Sequence, residues 1–320
     1  MDTPLSEGGI SFGVKIGRRI LDASYEAIKK IAIESERLGY RSIWHFDHFI
    51  MGGYPQFECW TVLSALASET KRIRLGTMVL SISYRYPSVL AKMAATLDVI
   101  SGGRLDLGLG AGWDESEYQA YGIACPRPAV RIRQLKEGIQ LMKKMWTEDR
   151  ATFKGRYYAV EDAINLPKPV QKPHPPIWIG GRGEKRLLRV VAEEADGYNL
   201  AFGSPEETQH KFDVLTRHCV EIGRDPDEIE RSWQGHCIIA ESEKEVREKI
   251  LALKPKNLSM EDFIGPRIVG TPEQCVEKIR RYVEVGATTF IIIFPDLYTA
   301  GFDPLRLFSQ QVATSFEERR

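Results

Sequence analysis

Two neighbouring titratable residues, Asp47 and His48, interrupt an otherwise aromatic run, Trp44-His45-Phe46-Asp47-His48-Phe49. An imidazole beside a carboxylate can take up or release a proton near neutral pH, the task of a group facing the reacting centre of a redox cofactor. The run ends at a Gly52-Gly53 loop, which places the pair just past a strand end. His48 adjoins that loop and is the preferred proton-transfer residue, whereas His45 lies earlier, inside the strand. Side chains alternate along a strand, so at most one of the pairs His45/Asp47 and Phe46/His48 is expected to point inward. The segment reads equally well as a loop capped by Asp47 with a satisfied, half-buried histidine.

Three further segments offer binding chemistry. Met78, Val79 and Leu80 end an apolar run and read either as a wall for a flat ring or as plain core. Gly108, Gly110 and Gly112, with Ala111 between them, remove side chains where a bulky ligand would collide, since alternating glycines in a strand mark close approach. Trp113 and Tyr118 follow and offer aromatic faces, or anchor the loop. Gly180, Gly181 and Arg182 come between an apolar strand and a helix start. Bare amides, a helix N-terminus and a guanidinium together suit a phosphate, although an ordinary turn with a solvated arginine has the same sequence. The chain has no H-E-x-x-H, no G-x-S-x-G and no metal-type Cys/His spacing, so metal catalysis and a serine nucleophile have no support.

The elements that must carry these residues alternate. Apolar, β-branched runs at 10–16, 41–46, 73–81, 104–110, 176–180, 197–201, 230–240 and 288–294 are separated by amphipathic stretches. Eight such βα repeats close a barrel, and barrel chemistry sits at the C-terminal strand ends. Helices are marked at 22–38, ending at Gly39, at 87–100, opening on Pro87, and from Thr271-Pro272-Glu273 to Gly286. Two connections, 113–175 and 242–268, exceed what a barrel needs; the first holds a helix at 131–146 and a hairpin around 153–158. Insertions of that size build substrate pockets or lids. The reading is an α/β fold, a single (β/α)8 TIM-barrel domain over 1–320 with insertions at its C-terminal face. An open doubly wound sheet fits less well: in Gly108-Leu109-Gly110-Ala111-Gly112 the third glycine comes one residue early for a dinucleotide fingerprint, on the fourth strand rather than the first.

Lysine plus arginine and aspartate plus glutamate number 44 each, so no global field draws the chain to nucleic acid or an acidic membrane surface. A small-molecule partner is expected. The 5 cysteines are scattered and odd in number, which fits a reducing compartment. With no apolar leader and no run of ~20 apolar residues, a cytoplasmic location is expected.

Taken together, these segments resemble the luciferase-like monooxygenase family, particularly its branch that uses the deazaflavin coenzyme F420. The resemblance spans nearly the whole chain. Its carriers are Asp47-His48-Phe49; the run from Arg72-Ile73-Arg74-Leu75-Gly76-Thr77 through Tyr86-Pro87 to Asp98; and Ser101-Gly102-Gly103-Arg104 through Gly112-Trp113. Pro175-Pro176-Ile177-Trp178-Ile179-Gly180-Gly181, Ala195-Asp196-Gly197-Tyr198-Asn199 and Gly270-Thr271-Pro272-Glu273-Gln274 add to it. It implies a ring lying against the third and fourth strands, with a non-prolyl cis peptide at Met78-Val79 bulging towards it. It places Asp47 and His48 at the ring's reactive edge, Asp47 positioning His48, and the cofactor phosphate by Gly180, Gly181 and Arg182. Related sugar-phosphate dehydrogenases carry a glutamate where this chain has Trp113, and a tryptophan where it has Met51. These departures argue against sugar-phosphate activity.

The cofactor follows from chemistry and pattern. A deazaflavin passes hydride in two-electron steps, whereas reduced FMN reacts with oxygen. FMN-using relatives often show Glu-His or His-His after the second strand, so Asp47-His48 favours coenzyme F420, with FMN-dependent monooxygenation as the alternative. A non-catalytic flavin-binding protein is a third reading. A homodimer is compatible with the family.

Overall fold

The computed structural model describes residues 9–16, 24–51 and 56–316. Its elements run β1 (Ser11–Ile16), α1 (Tyr25–Arg37), β2 (Ser42–His45), α2 (Cys59–Glu69), β3 (Arg74–Thr77), β4 (Leu80–Ser81), α3 (Pro87–Ser101), β5 (Leu105–Gly110), α4 (Glu115–Ala120), α5 (Pro128–Thr147), β6 (Ala151–Lys154) and β7 (Ala159–Ala163). There follow β8 (Ile177–Gly180), α6 (Leu187–Glu194), β9 (Gly197–Ala201), α7 (Pro205–Ile222), β10 (Glu230–Ile239), α8 (Glu243–Leu253), α9 (Met260–Ile264), β11 (Ile268–Gly270), α10 (Pro272–Glu284), β12 (Thr289–Ile293) and α11 (Asp303–Gln311).

Strands β1, β2, β3, β5, β8, β9, β10 and β12 pair in that order, every pair parallel, and β12 returns to β1. That closed ring of eight with helices outside is the (β/α)8 barrel expected from the alternation. Local signals set the helix ends. α3 opens on Pro87 and stops at the left-handed Gly102, and α8 and α10 start with capping boxes, Ser242/Glu245 and Thr271/Gln274. The expected start of the first helix at 22 lies outside the described residues; α1 is capped by Ser24.

The strand expected at 73–81 is two pieces. β3 ends at Thr77, the Met78-Val79 peptide is cis, and β4 resumes at Leu80, both pieces pairing with β5. Inside the barrel, Trp44 and Trp178 meet edge to face at 5.6 Å and pack with Met78 and Ile291. Gly76 and Gly197 make room for them, because a Cβ at either would strike the Trp44 or Trp178 indole.

Both insertions are structured. The first carries α4, α5 and the β6–β7 hairpin, whose turn at 155–158 is held by Glu137 accepting from the backbone amides of Arg156, Tyr157 and Tyr158. The second folds α8 and α9 over a satellite core of Ile238, Val246, Ile250 and Phe263, then adds β11 in parallel to the far end of β10. Cys59, Cys219, Cys237 and Cys275 are buried and all five cysteines are free. No helix among the described residues is long and apolar enough to cross a membrane.

Candidate active site

A cavity of about 640 Å³ opens at the C-terminal ends of the barrel strands, within the ~300–1,000 Å³ usual for small-molecule and cofactor sites. Asp47, His48, Met78, Val79, Leu80, Gly110, Ala111, Gly112, Trp113, Gly180 and Gly181 border it, and Arg182 does not.

The glycines act differently from the expectation that they clear space for a ligand. A Cβ at Gly108 would strike the Thr77 carbonyl, one at Gly110 would lie 2.6 Å from Val79 Cγ2, and one at Gly180 would lie 2.8 Å from Val79 Cγ1. At Gly112 the obstacles are the Tyr118 hydroxyl and Ser81. The strands flanking the β3–β4 break are therefore cut back to accept the protein's own bulge, and Val79 is left on the cavity wall.

Alternation also fails beyond β2, because the strand ends at His45. Phe46, Asp47 and His48 all border the cavity, while His45 sits behind the wall, with the Phe46 amide donating to its Nδ1 at 3.0 Å. Burial, aided by the nearby Lys15 charge, lowers the His45 pKa to about 4.

Asp47 does not position His48, contrary to the expectation. Its carboxylate takes a bidentate pair from Arg85, at 2.8 and 2.9 Å, and the Ser81 amide at 3.1 Å, which ties the β2 end to β4. Burial opposes the Arg85 charge, yet hydrogen bonds and charge from Asp47, with Glu58, hold its pKa above the usual arginine value.

The partner of His48 is Glu117 on α4, a residue that sequence reasoning missed. His48 Nδ1 lies 2.7 Å from Glu117 Oε2, and the carboxylate is 0% exposed. Glu117 Oε2 also accepts the Tyr84 hydroxyl at 2.9 Å, while Oε1 accepts the Phe49 and Ile50 amides, each at 2.8 Å. A carboxylate can only accept, so Nδ1 carries the proton and Nε2 is left for the cavity that His48 borders. Trp113, 66% exposed, sets its ring against the imidazole with centroids 5.5 Å apart. His48, Asp114 and Glu117 offer ligand atoms within 4.8 Å of one another. With both Glu117 oxygens already accepting two hydrogen bonds, the cluster is better described as a hydrogen-bonded dyad than a metal cradle. In sequence, Asp114, Glu115 and Glu117 look alike: Asp114 caps α4 by accepting from the Ser116 amide, and only the fold selects Glu117.

On the opposite flank, Gly181 adopts φ 145°, its amide reaches the Asn199 carbonyl at 3.4 Å, and its carbonyl accepts the Tyr198 hydroxyl at 2.8 Å. Arg182, whose side chain is 47% exposed, donates to the Ala201 carbonyl and to Glu207. Helix α6 begins only at Leu187. Lys15 and Gln234, from β1 and β10, complete the inner wall and are joined at 3.2 Å.

Residues 7–264 match the family described as luciferase-like monooxygenase. The chain belongs to this family. A relative of this luciferase-like protein, the F420-dependent glucose-6-phosphate dehydrogenase of Microbacterium testaceum, is 30% identical over 315 residues, covering 89% of this chain and 91% of the relative. Among solved structures, the coenzyme F420-dependent tetrahydromethanopterin reductase of Methanopyrus kandleri aligns with a TM-score of 0.79 at 22% identity, over 97% of this chain and 100% of that one. The oxygenating constituent of 3,6-diketocamphane monooxygenase from Pseudomonas putida, in complex with FMN, aligns with a TM-score of 0.80 at 18% identity, over 97% and 99%. At those identities the two structures speak for the barrel fold, the one that β1 to β12 build here.

Proposed function

We propose that this luciferase-like protein is an F420-dependent oxidoreductase that transfers hydride between the deazaflavin and a small organic substrate. The observation that carries the reading is the His48–Glu117 dyad on the cavity wall, which would serve as a proton-transfer group with its Nδ1 proton held by the carboxylate. The name of the Microbacterium testaceum relative supports the choice of coenzyme.

The residues present fit a flat, phosphorylated ring system. The cavity is large enough, and Val79 lies on a wall where its neighbours Gly108, Gly110 and Gly180 carry no side chains. The amide side chains of Asn199 and Gln234 border the same space. Met78, Val79, Leu80, Gly110, Ala111, Gly112 and Trp113 would hold the ring, and Gly180 and Gly181 its phosphate, with Arg182 joining if it exchanges Glu207 for the anion. When bound, the deazaflavin supplies a carbon centre that gives or accepts hydride. His48 Nε2 accepts a proton from the substrate when it is oxidised, and returns it in the reverse direction. Glu117 keeps the Nδ1 proton in place, and Asp47 with Arg85 fixes the backbone on which His48 stands. The resemblance implies a glutamate at the position of Trp113 in sugar-phosphate dehydrogenases of the family, so the proposal does not extend their substrate to this chain.

Parallel titration of the apoprotein with coenzyme F420 and FMN, followed by spectroscopy of the bound ring, tests the reading. Tighter binding of the deazaflavin is expected. Micromolar FMN binding beside undetectable deazaflavin binding would replace it with flavin-dependent monooxygenation, and binding without turnover of any substrate would leave a flavin-binding protein.

A further inference from the structure

We infer that the cavity's second insertion wall is an anion-recognition subsite centred on Arg267, and that the substrate joins a carboxylate or phosphate to an apolar body. The inference rests on the function proposed above only in assigning the bound anion to the substrate.

Arg267 is half-buried and borders the cavity. Two other guanidiniums near the site have carboxylate partners, Arg85 in Asp47 and Glu58 and Arg182 in Glu207, while Arg131 donates to the Ala111 and Pro126 carbonyls behind the wall. Arg267 forms no ion pair among the described residues, and burial is the only influence on its pKa, which it lowers. An arginine stays charged, so its partial removal from water is left without compensation until an anion arrives.

The guanidinium is also held in place. Its carbon lies 4.2 Å from the Phe263 ring centroid, and Nη1 donates to the Phe263 carbonyl. Nε and Nη2 make no hydrogen bond to any described residue, so two donors of the planar fork are available together, the geometry that suits carboxylate or phosphate oxygens. The backbone beneath is fixed as well. The Arg267 amide donates to the Ile264 carbonyl at 3.0 Å, and β11 begins at the next residue.

The surroundings define the rest of the ligand. Leu253, Pro255, Phe263, Leu297 and Tyr298 border the same cavity, a surface for an apolar body rather than a polyhydroxylated one. The wall stems from β10 and β11, whereas the proposed phosphate-binding glycines end β8 and His48 follows β2. One ligand group per wall is the economical arrangement.

Hexanoate, hexyl phosphate and 1-hexanol share one apolar body and differ in charge. Each is titrated calorimetrically into the full chain, with and without coenzyme F420, for wild type, Arg267→Gln and Arg267→Lys. A hydrogen bond to a charged group contributes about 1.5–3 kcal/mol, so at least one anion is expected to bind wild type roughly tenfold or more tightly than hexanol. Arg267→Gln should abolish that preference, Arg267→Lys should keep a reduced one, and coenzyme affinity should be unchanged in both. Which anion binds better identifies the group. Equal binding of anions and alcohol by wild type, no binding of either anion, or a preference that survives Arg267→Gln each overturns the inference. Weakened coenzyme binding in Arg267→Gln also overturns it, by moving Arg267 to the cofactor. If Arg267→Gln does not fold, an undiminished preference in Arg267→Lys overturns it and a reduced one supports it. An Arg267-dependent preference in a chain that binds no deazaflavin leaves the subsite standing and removes the function proposed above.

Discussion

Replacing Glu117 with glutamine changes one atom type in a fully enclosed group, and the surrounding hydrogen bonds dictate how the new amide must sit. Glu117 Oε1 accepts two backbone amides, from Phe49 and Ile50, which cannot reverse their polarity. The glutamine oxygen must remain there, so the new NH2 faces His48 Nδ1 and the Tyr84 hydroxyl. Tyr84 can rotate its hydroxyl to accept. His48 can accept only by giving up the Nδ1 proton and carrying it on Nε2 instead, the nitrogen assigned to take the substrate's proton. Loss of a positioned general base slows a reaction by about 10²-fold to 10⁴-fold, ~3–5 kcal/mol on the barrier. Glu117→Gln should therefore slow substrate oxidation by that factor in single-turnover measurements, while substrate reduction, which uses a protonated Nε2, falls much less. Coenzyme affinity should stay within a small factor, and stability should drop by about 1–3 kcal/mol as the loop after β2 loses a charged acceptor. Nitrogen-15 spectra of the imidazole report the tautomer independently. A variant whose His48 carries its proton on Nε2 yet oxidises substrate at the wild-type rate would refute the assignment of Nε2 as the base.

Three other outcomes are expected. His48→Ala should slow turnover by about 10²-fold to 10⁴-fold with little change in coenzyme binding, whereas His45→Ala should act on stability; a rate collapse confined to His45→Ala would reverse the two roles. Arg182→Ala should weaken FMN more than riboflavin, which has the same ring without phosphate, and equal losses in equilibrium titrations would leave Arg182 as a partner for Glu207 alone. For pH, the folded His45 value of about 4 lies below the ordinary 6.5, so between those values the unfolded chain binds more protons and stability falls as pH falls. At ~1.4 kcal/mol per unit the loss is about 3 kcal/mol, and urea unfolding should show it in wild type but not in His45→Gln; parallel pH profiles for the two proteins would remove this cause.

Local pattern accounts for the architecture that could be read from the sequence, and the family resemblance for the coenzyme and the cis peptide. Each βα unit carries its own periodicity and caps, so eight strands, the helices between them and the mouth of the barrel follow from short-range rules. That Asp47, His48, Gly180 and Gly181 border the cavity is legible because strand ends in a barrel face one space. The pairings within the site were not legible. Glu117 lies 69 residues from His48, Arg85 lies 38 from Asp47, and Glu207 lies 25 from Arg182. No periodicity connects them, and their charges alone allow many other partners. The apolar run at 73–81 shows no break of its own; the cis peptide at Met78-Val79, which the family resemblance implied, is present, but the reason for Gly108, Gly110 and Gly180, which make room for Thr77 and Val79 across the sheet, is visible only in the fold. Barrel closure chose among these options, because burial favours the arrangement in which the enclosed charges find hydrogen-bonded partners, as Asp47 and Glu117 do.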